Sequence, residues 1–260
     1  MKYLRIWLSC WRMSWMESME YRTNFLLRIF VEILWYSSQL SIFEVLYSHT
    51  SSIAGWNLKE VRVFMGTLFM LDCLWMMFFN ENFDRFSELV RRGDLDLLLT
   101  KPVDSQFMVS LRRANPIYFF NFILVAGYFY WAISHLGRTP DAAAFEKYFL
   151  LLICGLSVLY CLRLFFAVIV LVVHNANNIT YVWYQLYRFG TRPHSLYPSW
   201  LRVFVIFVLP VGLIVSVPSY NLLFESDATL WISPLISVLL FILARFAWLG
   251  GLKRYSSASS

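Results

Sequence analysis

Four long apolar runs, residues 116–136, 148–173, 200–217 and 230–250, decide what this chain can fold into. Each approaches the roughly 20 residues that a helix needs to cross hydrocarbon. A water-soluble core cannot absorb them: 59% of the 260 residues are hydrophobic and only 15% are charged, against about 25% charged in soluble domains. Lipid is the solvent this pattern fits. In lipid the backbone must satisfy its own hydrogen bonds, so the predicted fold is all-α.

Two further spans are predicted from about Thr23 to Tyr47 and from about Val61 to Phe79, each diluted by ionisable residues and joined by the polar SHTSSIAGWN. Ahead of them Leu4, Trp7, Leu8, Trp11 and Trp15 recur at helical spacing opposite Lys2, Arg5, Ser9 and Arg12, which predicts a helix lying in the membrane interface. This start lacks the features of a cleaved signal and is expected to be retained. The resulting division is an interfacial helix (1–22), helices 1 and 2 (23–80), a cytoplasmic loop (81–115), helices 3 and 4 (116–173), a cytoplasmic interfacial segment (174–199), helices 5 and 6 (200–250) and a polar tail (251–260). Pro210, Pro218 and Pro234 are expected to interrupt helical hydrogen bonding. Residues 218–229 form either a hairpin dipping into the outer leaflet or a kinked helix and loop.

Loop charge orients this arrangement. The segments on the N-terminal side carry fifteen Lys and Arg, and those on the other side carry four. Positively charged loops stay in the cytoplasm, so both termini are placed there. The same distribution argues against nucleic-acid binding, because the net charge of +6 flanks hydrophobic spans rather than forming one solvated patch.

The chemistry the sequence lacks is also informative. It contains no GxxxxGK(S/T) phosphate loop, HExxH or GxSxG, its four histidines are dispersed, and its four cysteines form no CxxC pair. No catalytic residue, metal site or cofactor is assigned to this chain, and it is not expected to be an enzyme.

The segment that does carry information is the loop at 81–115. Phe83, Phe86 and Val90 fall on one face of a short helix, Gly93 suits the left-handed conformation that ends it, and Asp94 is expected to cap a second short helix, Asp94–Leu99, which stops before Lys101-Pro102. Leu95, Leu97, Leu98 and Leu99 are too apolar for an isolated loop and are expected to meet membrane or protein. Leu89, Arg91, Arg92, Gly93, Asp94, Leu95, Asp96, Leu97, Leu98, Lys101 and Pro102 are the candidate partner-coupling residues.

With these residues in view the chain resembles the type-2 ABC transporter permeases, in particular their small six-span bacterial branch. The resemblance rests on RRGDLDLLLTKPVDSQF at 91–107, on RPHSLYPSWLR at 192–202, on LPVGLIVSVPSYNLL at 209–223 and on WLGGLKRYSSASS at 248–260. It implies six transmembrane helices, an interfacial N-terminal helix and a cytoplasmic coupling helix between helices 2 and 3. It further implies a bacterial plasma membrane, a second permease subunit in a homo- or heterodimer, and a separate ATP-binding subunit holding ATP and Mg. Export driven by ATP is the expected function. A non-transporting scaffold subunit and a proton-coupled carrier using Glu32 or Asp72 are the alternatives.

Ionisable residues inside spans are costly and mark partners or cavities. Glu32, Asp72 and Arg163 fall roughly 12 to 15 Å from the cytoplasmic ends of their helices at about 1.5 Å per residue, with Arg28 one turn before Glu32. A polar belt is expected in which Arg163 pairs with Glu32 or Asp72; it either lines a path or only fixes packing. Arg245, close to its helix end, is expected to snorkel to the interface.

Overall fold

The computed structural model describes residues 2–20, 22–173, 178–224 and 230–256. Among the described residues there is no strand, only an isolated bridge between Ile53 and Trp56 in a helical chain. Helix α1 (Lys2–Glu20) precedes α2 (Arg22–Ser48). A rod follows that runs without a break from Leu58 to Arg91. It consists of α3 (Leu58–Trp75), a single wide π turn (Met76–Asn80), α4 (Glu81–Asp84) and α5 (Phe86–Arg91). Its start is set by a reciprocal cap: Glu60 N–H donates to Asn57 Oδ1 at 3.1 Å, and Asn57 N–H donates to Glu60 Oε2 at 2.9 Å. Next come α6 (Asp94–Leu99), α7 (Ser105–Leu111), α8 (Ile117–Ser134), α9 (Ala142–Val173), α10 (Ile179–Gly190), α11 (Ser199–Val203), α12 (Ser216–Phe224) and α13 (Ile232–Arg254).

Among the described residues, five helices are long and apolar enough to cross a membrane: α2, the rod from Leu58 to Arg91, α8, α9 and α13. Their directions follow from paired contacts. α2 runs against α3, since Tyr36 meets Cys73 while Glu44 meets Arg62. α8 also runs against it, because the Asn115 N–H donates to the Met77 carbonyl while Phe129 packs on Gly66. α9 runs with α3, pairing Tyr148 with Thr67 and Arg163 with Asp84. α13 runs with α9, pairing Phe241 with Tyr160 and Gly251 with Val168 and Leu171.

Two parallel spans in succession require the chain to cross back between Val173 and Ile232. The sequence places 174–199 on the cytoplasmic side and the fifth crossing at 200–217, and here the structure corrects it. Residues 179–195 lie along the rod from one end to the other: Tyr184 reaches Asp84, Tyr187 reaches Asp72, and the Trp56 indole N–H donates to Ser195 Oγ at 2.7 Å. Residues 199–224 then turn back on themselves. The ten-residue apolar helix Ser199–Val208 is too short to cross. They run inward, the chain bends at Leu209 and a tight turn at Pro210–Leu213, and α12 returns so that Tyr220 and Phe224 again meet Trp56. This bend enters the bundle because α9 has no side chain at Gly155: a Cβ there would stand 2.5 Å from the Ile214 carbonyl oxygen.

Of the three prolines expected to interrupt helices, only Pro210 does so. Pro218 and Pro234 are the third residues of α12 and α13, where a missing N–H leaves no helical bond unmade. The alternatives for 218–229 are answered in part: 218–224 is regular helix, while 225–229 lie outside the described residues. Residue 1, residue 21, the first four residues of the 174–199 segment and the last four of the polar tail also lie outside them.

Helix α1 packs differently from the expected lipid-facing tryptophan stripe. Trp7 and Trp11 sit on Phe78, and Trp15 sits on Phe119 and Phe120, so the indoles face protein while Leu4 and Leu8 stay exposed.

Candidate functional site

The segment α4–α7 forms a helical protrusion at one end of the bundle. Phe83, Phe86 and Val90 turn inward and are buried, and Gly93 adopts the left-handed conformation with φ of 76°. Asp94 does not cap the second helix as expected; Gly93 occupies the cap position and Asp94 is the first helical residue. The four leucines also divide. Leu95 and Leu98 are buried in the chain's own core, whereas Leu97 is 66% exposed and Leu99 lies at the edge. Arg91, Arg92, Asp94, Lys101 and Pro102 are exposed around Leu97, while Leu89 and Asp96 are half-buried. The protrusion therefore presents Leu97, with Leu99 exposed to a smaller extent, ringed by charge on a base stiffened by its buried leucines.

That base is tied to several elements. Arg245 of α13 donates to Asp104 Oδ2 at 2.6 Å and to Gln106 Oε1 at 3.0 Å, so it makes an ion pair where free snorkelling is expected from sequence. The Trp248 indole donates to Ser105 Oγ, and Lys2 Nζ of α1 donates to the Pro102 carbonyl at 2.6 Å. Burial desolvates the Asp104 carboxyl, but hydrogen bonds from Arg245 and from the Phe107 N–H outweigh it and hold the group below the usual carboxylate range.

The belt residues are not joined as expected. Arg163, 2% exposed, donates to Asp84 Oδ1 and to the Phe83 carbonyl, both at 3.1 Å, and its guanidinium stacks over Phe83 and Trp183. Its carboxylate partner is Asp84, not Asp72 or Glu32. Asp72 instead accepts from Tyr187 at 2.5 Å, and Glu32 accepts from Tyr118 at 2.7 Å. Arg28 has no ion-pair partner among the described residues and lines a cleft beside α4 and α8. The sequence reading missed Asp84, Tyr118, Tyr184 and Tyr187. The available signal was the i, i+3 spacing of tyrosines in YVWYQLY, which puts two phenols on one helix face.

The crossing helices define a multi-pass, all-α membrane protein with a charged protrusion at one end. The model of the ABC-2 family transporter proteins matches residues 33–259. The chain belongs to that family, and it is a permease subunit of an ABC transporter. No curated protein and no solved structure matches it in the corresponding comparisons.

Proposed function

We propose that the chain is the membrane-spanning half of an ATP-driven exporter, and that the protrusion around Leu97 docks the subunit that binds and hydrolyses ATP. The observation that carries this reading is the division of the leucines. Leu95 and Leu98 make the element rigid, so Leu97 is held outward as an anchor with Arg91, Arg92, Asp94 and Lys101 to set register. The ties from Asp104, Gln106 and Ser105 to α13, and from Asp84 to α9, would carry motion of the docked partner into the helices. ATP and Mg belong to that partner, and no step of their chemistry is assigned to this chain. A second permease subunit, like or unlike, would cover the outward apolar side of α2. With Arg192 and Arg202 counted beside Lys59, Arg62, Arg138 and Lys147, six Lys and Arg stand on one side against twelve in 1–22, 81–115 and 251–260, which still supports both termini and the protrusion in the cytoplasm; the family resemblance supports a bacterial plasma membrane.

The test is Leu97→Asp in the complex with the ATP-binding subunit. Because Leu97 touches little of its own chain, the variant should insert and fold as the parent does. Association and permease-stimulated ATP hydrolysis should fall about tenfold or more, as for loss of an interface anchor. Unchanged copurification and hydrolysis would remove the docking role. Leu98→Asp is no substitute, since it breaks the element itself. A cysteine at exposed Thr100 should be shielded from an impermeant thiol reagent in intact cells and one at Ser51 labelled; the reverse pattern would invert the orientation.

A further inference from the structure

We infer that the cleft between α2, α4 and α8 binds the headgroup of an anionic membrane amphiphile, with Arg28 as its recognition cation. Three adjoining cavities of about 190, 410 and 230 Å³ lie along this cleft, and Arg28 and Asn115 line all three. Four carboxylates face it, and each is already engaged. Glu81 pairs with Arg85 and Arg113, Glu17 with Arg113, and Asp84 with Arg163, while Glu32 accepts the Tyr118 hydroxyl. Arg85 and Arg113 are therefore committed as well. Arg28 alone among the described cations of the cleft has no carboxylate within ion-pair distance, although Glu32 stands one turn away on the same helix. Arg28 is exposed at the open side of the cleft, and an arginine without a carboxylate there offers five donors in a fork suited to phosphate or carboxylate oxygens.

Depth and lining select an amphiphile over a soluble anion. Arg28 is about 9 Å along α2 from its first residue, at about 1.5 Å per residue, which places it near a headgroup layer. Phe25 lines the cleft with Arg28 and meets Phe120 edge to face, and Phe120 in turn meets Trp15, a residue type that marks that layer. The middle cavity adds Leu27, Val31 and Ile117 next to Arg28 and Asn24, so an apolar wall continues from the polar one. Leu27 and Val31 are themselves exposed on α2, which opens this wall sideways to hydrocarbon. A headgroup at Arg28 would thus keep its acyl chain in lipid.

The test uses the purified full chain in nanodiscs of phosphatidylcholine and phosphatidylglycerol, followed by mild delipidation and native mass spectrometry of retained lipid. The parent should retain phosphatidylglycerol over phosphatidylcholine, and Arg28→Gln should reduce that preference about tenfold. Arg28→Lys should keep part of it, and Glu32→Gln, which removes the neighbouring negative charge, should raise it. Exposed Arg138→Gln, in the turn between α8 and α9 at the other end of the bundle, should leave it unchanged. Equal retention by the parent and Arg28→Gln overturns the site. Arg28-dependent displacement of the lipid by millimolar inorganic phosphate would show a soluble-anion site and overturn the amphiphile. None of these readouts involves the ATP-binding subunit, so failure here and failure of the exporter reading are separable.

Discussion

α2 and α3 are antiparallel neighbours of similar apolarity, yet α3 buries twelve of its eighteen residues and α2 buries only Phe25 and Tyr47. In water such a contrast would show as polar residues on the exposed helix. In a bilayer an apolar side chain is as well solvated by lipid as by protein, and small and polar residues mark the interior face instead. On α3, Gly66 admits Phe129, Thr67 accepts from Tyr148, and Asp72 accepts from Tyr187. On α2 the inward stripe is Glu32, Tyr36 and Glu44, which meet Tyr118, Cys73 and Arg62. Trp35, Leu40 and Phe43 also touch the bundle, and the exposed Ile33, Leu34 and Ile42 are left to face lipid or another subunit.

Phenylalanine truncation should separate the two helices most strongly. Phe64→Ala on α3 is expected to cost about 3 kcal/mol through the cavity it leaves, read as a shifted midpoint for unfolding of the purified chain in mixed micelles. Phe30→Ala on α2 should stay within about 0.5 kcal/mol. A large loss at Phe30 in the isolated single chain would break the comparison, whereas a loss seen only in the assembled transporter would identify α2 as a subunit contact.

A smaller effect is expected where the rod meets α9. Arg163→Met should cost about 2 kcal/mol, below the range for fully buried pairs because the Asp84 side chain is 32% exposed. Adding Asp84→Asn should recover part of that loss, while adding Asp72→Asn should not. Recovery with Asp72→Asn instead would restore the pairing expected from sequence.

The smallest effect should come from the tie holding α2 at its far end. Arg62 grips Glu44 with two hydrogen bonds, at 2.6 and 2.8 Å, in a partly exposed setting. Glu44→Gln is expected to cost about 0.5 kcal/mol, yet to accelerate amide exchange along 40–48 more than along α3. Equal exchange in both helices would mean that α2 is held by more than this pair.

The crossings built on 116–136, 148–173 and 230–250 were legible, and so was most of the protrusion: Gly93 takes its left-handed turn, Phe83, Phe86 and Val90 turn inward, and a helix follows at 94–99. What stayed hidden depends on partners distant in sequence. Leu95 and Leu97 have the same chemistry, and only packing separates a buried residue from an exposed one. Residues 179–190 are amphipathic and polar at their start, so hydropathy sends them to an interface. Their tyrosines are instead matched by Asp72 and Asp84 on the rod, more than a hundred positions away for Tyr187. Arg163 could be placed at the depth of Glu32 and Asp72 by counting, but counting ignores the wide turn after Trp75 that reorients Asp84 beneath it.

That wide turn has a mechanical consequence. Helices wound with one surplus residue are locally softer and rotated relative to the regular winding on either side. Met76–Asn80 therefore divides a 34-residue shaft into a crossing part and a protruding part, clasped together by the stacked rings of Trp75, Phe79 and Phe83. Torque applied at the tip would be felt first at this joint, where Asn80 binds the Trp75 indole N–H and donates to Asp84.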